Sequence, residues 1–383
     1  MLLLVLSSMK AYFLWAIPSV LFPILCLFVG FASGMTIKTK TLVCIIPLLL
    51  LSLLKMNLTY FLSQLLTFLV VLQLLSVHNT RRKQILEFVV ASFSTILLVS
   101  LFFWILHLFV YEIPTISILN YSEQYYFENH VFFLRLTNFT GFYRFVSVFL
   151  EPGHLAMFCA FFLYAIGFDF KKWHTWALLM TILFSLSLAG YILLVIGYLL
   201  HSINEKKAFV RSIITFTLLL VSGFFVVIHY GGEENIVYER IIMRMEADEE
   251  TGIAGNNRTD YYTDALFKNT LKSGERWLGL SLSEAQMKVG NGDLHGAGYK
   301  IYIIRNGILG VLACFFFYFY LAYKSDNRRY MMLFLILFTI AFLQRAYPFW
   351  MAWMLPFLCT LNTQDNVMKK NLKNEYKSTL YIK

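Results

Sequence analysis

Charge is scarce in this sequence: Asp, Glu, Lys and Arg supply 14% of its 383 residues, against roughly 25% in an ordinary soluble domain. Because 59% of the residues are also hydrophobic, a soluble fold is excluded. Cysteine is sparse too. Cys26, Cys44, Cys159, Cys314 and Cys359 each stand alone in an apolar run, none in CxxC spacing, so they read as small hydrophobes rather than as a disulfide framework. No DxD, HExxH or CxxC is present, which sets the expectation of a reaction without metal or cofactor. The opening MLLLVLSSMK lacks the basic stretch and small-residue cleavage site of a removable signal and reads as part of a retained helix. No internal repeat is visible.

What is abundant is apolar sequence in runs, at about 11–32, 41–54, 58–77, 85–111, 153–168, 175–201, 208–228, 299–323, 330–344 and 347–361. Most approach the roughly 20 residues that a bilayer-crossing helix requires. The expected fold class is therefore an all-α polytopic integral membrane protein. The run 175–201 is too long for one crossing, since it would make a helix of about 40 Å against a hydrocarbon core of about 30 Å. It is also flanked by KK (171–172) and NEKK (204–207), both of which favour the cytoplasm. Two short helices meeting near SLSLAG (185–190) keep both basic pairs inside. The count becomes about eleven crossings, within ten to twelve.

That parity divides the chain into N-terminal transmembrane helices (1–111), a first extracytoplasmic loop (112–152), central helices with the short pair (153–228), a large extracytoplasmic loop (229–298), C-terminal helices (299–361) and a basic cytoplasmic tail (362–383). The net charge of +10 follows from sidedness. Eighteen of the 32 basic residues but only six of the 22 acidic ones fall in the cytoplasmic segments, as the positive-inside rule demands. Nucleic acid is not implied as a partner; membrane lipid is. In the large loop, ENIVYERIIMRM (234–245) has the pattern of an amphipathic surface helix. RTDYYTDALFKN (258–269) reads as a second helix, with Asn257 as N-cap and Asp260 in the first turn. EADEE (246–250) reads as a solvated acidic face rather than a metal site.

The segment FLEPGHLAMF (149–158) places Glu, Pro, Gly and His at the start of an apolar run. Pro at the first helical position and a carboxylate beside a helix N-terminus are ordinary capping features. Capping does not account for Arg144, Glu151 and His154 lying together at the junction of loop and bilayer, where ionisable groups are costly and mark function.

YRFVSVFLEPGHLAMF (143–158) resembles the motif of the bacterial O-antigen and capsule repeat-unit polymerases (Wzy-type), in which arginine precedes a short hydrophobic stretch and Glu-Pro-Gly. The similarity continues in order through LFSLSLAGYILLV (183–195), GNNRTDYYTDAL (255–266), WLGLS (277–281) and HGAGYKIYIIRNGILG (295–310), and covers roughly residues 135–312. One departure is Ser147, where the family often has glycine. The resemblance implies glycosyl transfer at the outer face of the cytoplasmic membrane, between undecaprenyl diphosphate-linked oligosaccharides, with a flippase and a chain-length regulator as further partners. Such a reaction needs a proton acceptor for the attacking hydroxyl and stabilisation of the diphosphate leaving group.

Arginine suits the diphosphate because its planar fork stays charged and binds phosphate bidentately. Arg144 and Arg258 are the expected diphosphate ligands. Glu151, as general base or as the ion-pair partner of Arg144, with His154 and His295, forms the expected catalytic set. The other reading of each is a headgroup contact, a helix cap or an interfacial histidine. Arg135, Arg240, Arg244, Arg276 and Arg345 read as spare solvated or headgroup-contacting residues. Tyr121, Tyr125, Tyr126, Tyr261, Tyr262 and Trp277 are either sugar-stacking groups or part of the aromatic belt. The competing functions are O-antigen ligase, in which Asn-Pro is commoner than Glu-Pro-Gly, and a transporter or flippase, which would bury its charges mid-bilayer.

Overall fold

A computed structural model describes residues 1–9, 11–14, 17–18, 20–35, 42–55, 58–122, 125–136, 144–203, 209–210, 213–214, 261–280, 284 and 297–362. Arg240, Arg244, the acidic run 246–250, Asn257, Arg258, Asp260, His295 and the tail from 363 onward lie outside these residues, as do the expected surface helix 234–245 and most of the run 208–228.

The N-terminal half holds α1 (Leu2–Met9), α2 (Leu21–Ala32), α3 (Leu42–Leu54), α4 (Leu58–Ser76) and α5 (Asn79–Phe109). The apolar run 11–32 is not one helix: among its described residues, a short 3-10 turn at Tyr12–Leu14 precedes α2. Pro18 explains the division, because proline disfavours helical backbone at the residue before it. Tyr12 instead ties the chain to the first loop, its N–H donating to the Val148 carbonyl at 3.1 Å and its hydroxyl to that of Val131 at 2.7 Å.

That loop contains the departure from an all-α fold. Strands β1 (Ser117–Ser122), β2 (Tyr125–Asn129) and β3 (Leu134–Leu136) form an antiparallel sheet in that order. Glu128 stands opposite Arg135 and pairs with it at 3.2 Å, a cross-strand charge pair that gives Arg135 a local role. Phe127 and Leu134 pack with Val146 in a small core of their own. The strands are three to six residues long, too short for alternation to outweigh the helical periodicity around them.

The C-terminal half contains α6 (Pro152–Ala165), α7 (Trp173–Phe184), α8 (Leu188–Ser202), α9 (Tyr261–Lys272), α10 (Gly298–Lys324), α11 (Arg328–Gln344) and α12 (Met351–Thr360). The run 175–201 is divided as its length demands, with α7 and α8 meeting at Ser185–Ser187. Among the described residues, α4, α5 and α10 are long and apolar enough to cross a membrane, and α2, α3, α6, α7, α8 and α12 are shorter apolar helices. Large side chains such as Phe28, Leu58, Phe102 and Phe109 are mostly exposed, which suits a bundle whose solvent is lipid and is compatible with a polytopic membrane protein.

At the centre is α6, in which every residue from Gly153 to Ala165 is buried, against α7, α8 and α12. Gly190 on α8 makes this closeness possible, since a Cβ there would overlap that of Ala156 on α6. Small residues let helix backbones approach where no hydrophobic gain separates bundle from lipid. The glycine of SLSLAG thus has a packing role, while Ser187 caps α8 by accepting from the Gly190 N–H at 3.3 Å.

The large loop is docked through α9 and the residues after it. Leu266, Leu280 and Ile304 share a small core with Phe267 and Ile301, and Lys300 bridges Asp264 at 2.7 Å. Of the helix expected at 258–269, the described part is present as α9 from Tyr261, and it runs on to Lys272. Its partner α10 breaks at Gly307 (φ 66°, ψ −176°). There the Leu309 N–H donates to the Trp277 carbonyl at 3.1 Å and the Leu280 N–H to the Ile304 carbonyl at 2.6 Å, so loop backbone replaces two of the helix's own partners.

Candidate functional site

Glu151 is the N-cap residue of α6 with extended backbone (φ −142°, ψ 139°), and Pro152 opens the helix. The glutamate makes no capping bond; its Oε2 accepts from Nη2 of Arg345. Nη1 of the same guanidinium donates to His154 Nε2 at 2.8 Å. Arginine has no acceptor, so Nε2 accepts and the ring proton sits on Nδ1. One guanidinium thus joins both ionisable groups of Glu-Pro-Gly-His, at the end of α6 where the helix dipole is positive.

The surroundings fix this arrangement. Side-chain exposure is 12% for Arg345 and 35% for Glu151, and His154 is buried. Tyr347 and Trp350 stand edge-on to the His154 ring, with centroids at 5.3 and 5.5 Å. Arg345 follows α11 on extended backbone (φ −142°, ψ 103°), its N–H donating to the Ala341 carbonyl. Two glycines admit it. A Cβ on Gly153 would stand 3.1 Å from Arg345 Nη2, and one on Gly298 would overlap the backbone of Arg345 and Ala346. Gly153 belongs to Glu-Pro-Gly and Gly298 to HGAGYK, so segments far apart in sequence meet at one side chain.

Arg144 has a different environment. Its Nε donates to the Ser185 carbonyl at 3.0 Å and Nη2 to that of Leu186 at 2.8 Å, carbonyls that the end of α7 leaves without helical donors. It clasps the break between α7 and α8. Of the two readings of Glu151, general base or ion-pair partner of Arg144, the second is corrected: the ion pair described for Glu151 is with Arg345, and Arg144 engages the helix break.

The reading of Arg345 as a spare solvated residue is also corrected, because it is largely enclosed and linked to two candidate residues. A signal for it exists in QRAYP (344–348), a lone cation between two apolar runs, but nothing in the sequence says which motif it faces. Tyr261, Tyr262 and Trp277 are exposed, with Arg276 over the Trp277 ring at 5.2 Å. No three His, Cys, Asp or Glu among the described residues stand close enough to share a metal ion.

Ser147 adopts φ 54°, a left-handed backbone that glycine enters without the Cβ penalty of about 1–2 kcal/mol. Its Oγ is buried without a hydrogen-bond partner. Ser147→Gly is expected to raise the unfolding temperature in detergent by a few degrees, equivalent to about 1 kcal/mol after glycine's own entropy cost; a lower temperature would show that the serine is not strained.

Set against protein-family models, curated proteins and solved structures, the chain matches none of them.

Proposed function

We propose that the protein is a membrane glycosyltransferase that polymerises undecaprenyl diphosphate-linked repeat units of a surface polysaccharide at the outer face of the bacterial cytoplasmic membrane, in a topology of about eleven crossings. The observation that carries this reading is the Arg345 guanidinium held by Glu151 and His154 at the N-terminus of the central helix. A fixed cation at a helix N-terminus favours anions twice over, through its charge and through the helix's unpaired N–H groups. A diphosphate leaving group gains negative charge in the transition state and benefits from such a pre-set donor.

In this reading Arg345 stabilises the departing diphosphate, and Glu151 fixes its guanidinium and takes the proton of the attacking hydroxyl as that oxygen bonds to the anomeric carbon and the bond to the diphosphate breaks. His154, protonated on Nδ1 and accepting at Nε2, orients the same guanidinium. Arg144, Arg258 and His295 remain proposed contributors, Arg144 by holding the helix break beside the site. The glycan lies over Tyr261, Tyr262 and Trp277, whose exposed rings suit sugar stacking.

The test is to incubate the purified protein with its lipid diphosphate-linked repeat unit and resolve the products on a gel. A ladder from the wild type and at least 100-fold less polymer from folded Glu151→Ala is expected. An equal ladder from the variant would remove Glu151 from the site, and no ladder from either would favour a ligase or transporter.

A further inference from the structure

Two more cations meet at the break in α10. Lys55 lies in the turn between α3 and α4, and Arg305 and Asn306 directly precede Gly307. In an uninterrupted helix the Arg305 carbonyl would accept from the Leu309 N–H, but that N–H is given to Trp277. Lys55 takes its place: Nζ donates to the Arg305 carbonyl and, at 3.1 Å, to Asn306 Oδ1. An ammonium has three N–H groups, so one remains after these two.

The local charge is not balanced. Among the described residues neither Lys55 nor Arg305 pairs with a carboxylate, and Arg305 Nε is buried with no hydrogen-bond partner. Burial, together with the Arg305 charge, pushes the Lys55 ammonium down to about 8. Two half-buried like charges without a counter-charge are costly, and an anion relieves both. A narrow cleft with about 20 Å³ of enclosed space, open at its mouth, adjoins Lys55. Lys55, Tyr60 and Asn306 form its polar wall; Leu48, Leu51 and Phe68 form an apolar one. Beside it, Leu50, Leu53, Leu54 and Leu58 are exposed, a surface suited to acyl or isoprenyl chains.

We propose that the cleft between the α3–α4 turn and the α10 break receives at its mouth the phosphate headgroup of a lipid, with Lys55 as the cation on its wall, the nearby Arg305 adding positive charge from outside the lining, and the apolar wall receiving the adjoining part of the tail. The inference stands on these groups and does not depend on the glycosyl-transfer reading. An anionic bilayer phospholipid and a phosphorylated isoprenoid offer the same headgroup chemistry, and separate arms of the test distinguish them.

The full chain, purified in dodecyl maltoside, is titrated with dodecyl phosphate while its unfolding temperature is followed. A rise of at least about 3 °C is expected for the wild type, and less than a third of it for Lys55→Gln, which keeps an N–H donor for the Arg305 carbonyl while removing the charge. Lys55→Arg restores the rise, and Arg305→Gln serves as the second variant if Lys55→Gln does not fold. An equal rise in the glutamine variants, or with uncharged dodecanol, overturns the proposal. Phosphatidylglycerol and farnesyl diphosphate are then compared as competitors of dodecyl phosphate. Stronger competition by the first assigns a bilayer lipid and by the second an isoprenoid; competition by neither overturns the site.

Discussion

Arg345→Ala will lower stability and, on the proposed glycosyl-transfer reading, abolish polymer synthesis, whereas Arg345→Lys will recover much of the stability and little of that activity. Alanine leaves the Glu151 carboxylate and His154 Nε2 without the donor that joins them. For a pair with one enclosed partner and the other about one-third exposed, that loss is expected to be about 2 kcal/mol. The activity loss is larger, at least 100-fold, because a pre-set donor acts on charge that develops only in the transition state. Lysine restores a charge but not the fork that reaches two acceptors at once. The check is a double-mutant cycle with Glu151→Ala, read as the unfolding temperature in detergent alongside polymer yield. Additive stability effects would show that the two residues do not interact.

Gly190→Leu will prevent accumulation of folded protein. No side chain fits between α8 and Ala156 of α6, and α6 is the helix on which the Glu-Pro-Gly site is mounted. Leucine must drive the two helices apart, a cost of several kcal/mol, beyond ordinary overpacking of about 1–3 kcal/mol. A milder pair gives the sharper result: Gly190→Ala destabilises, and adding Ala156→Gly recovers most of the loss, because the contact is then reversed rather than enlarged. Monodisperse yield from detergent extraction is the measure. Failure of the second change to rescue the first would mean that the contact does not limit the packing.

The parts legible in the sequence were those whose cause is local. The division of 175–201 follows from helix length and from lysines at both ends. Glu151, Pro152 and His154 announce themselves in four residues, and a helix beginning at Pro152 brings the last within reach of the first. The partner of Glu151 is 194 positions away, and no local pattern connects QRAYP to Glu-Pro-Gly. Arg144 was visible as a cation near the site, but its engagement with the carbonyls of Ser185 and Leu186 depends on where α7 stops. The sheet at 117–136 escaped because its strands are short and set between helices. Lys55 escaped because its chief partner is a carbonyl oxygen freed by a break in another helix, which no pattern of side chains encodes.

That break links the loop to the bundle thermodynamically. The Trp277 carbonyl and Leu280 N–H stand in for partners that α10 has given up internally, so undocking the loop leaves the Leu309 N–H and the Ile304 carbonyl unmet, at roughly 1–3 kcal/mol each where they stay buried. The helix must then close into a continuous rod or the loop must stay. Position of the loop and straightness of α10 are thus two coordinates of one equilibrium, and linkage makes their influence mutual. A ligand that favours the docked loop favours the bent helix by the same free energy, and a change that straightens the helix raises the cost of docking the loop by an equal amount.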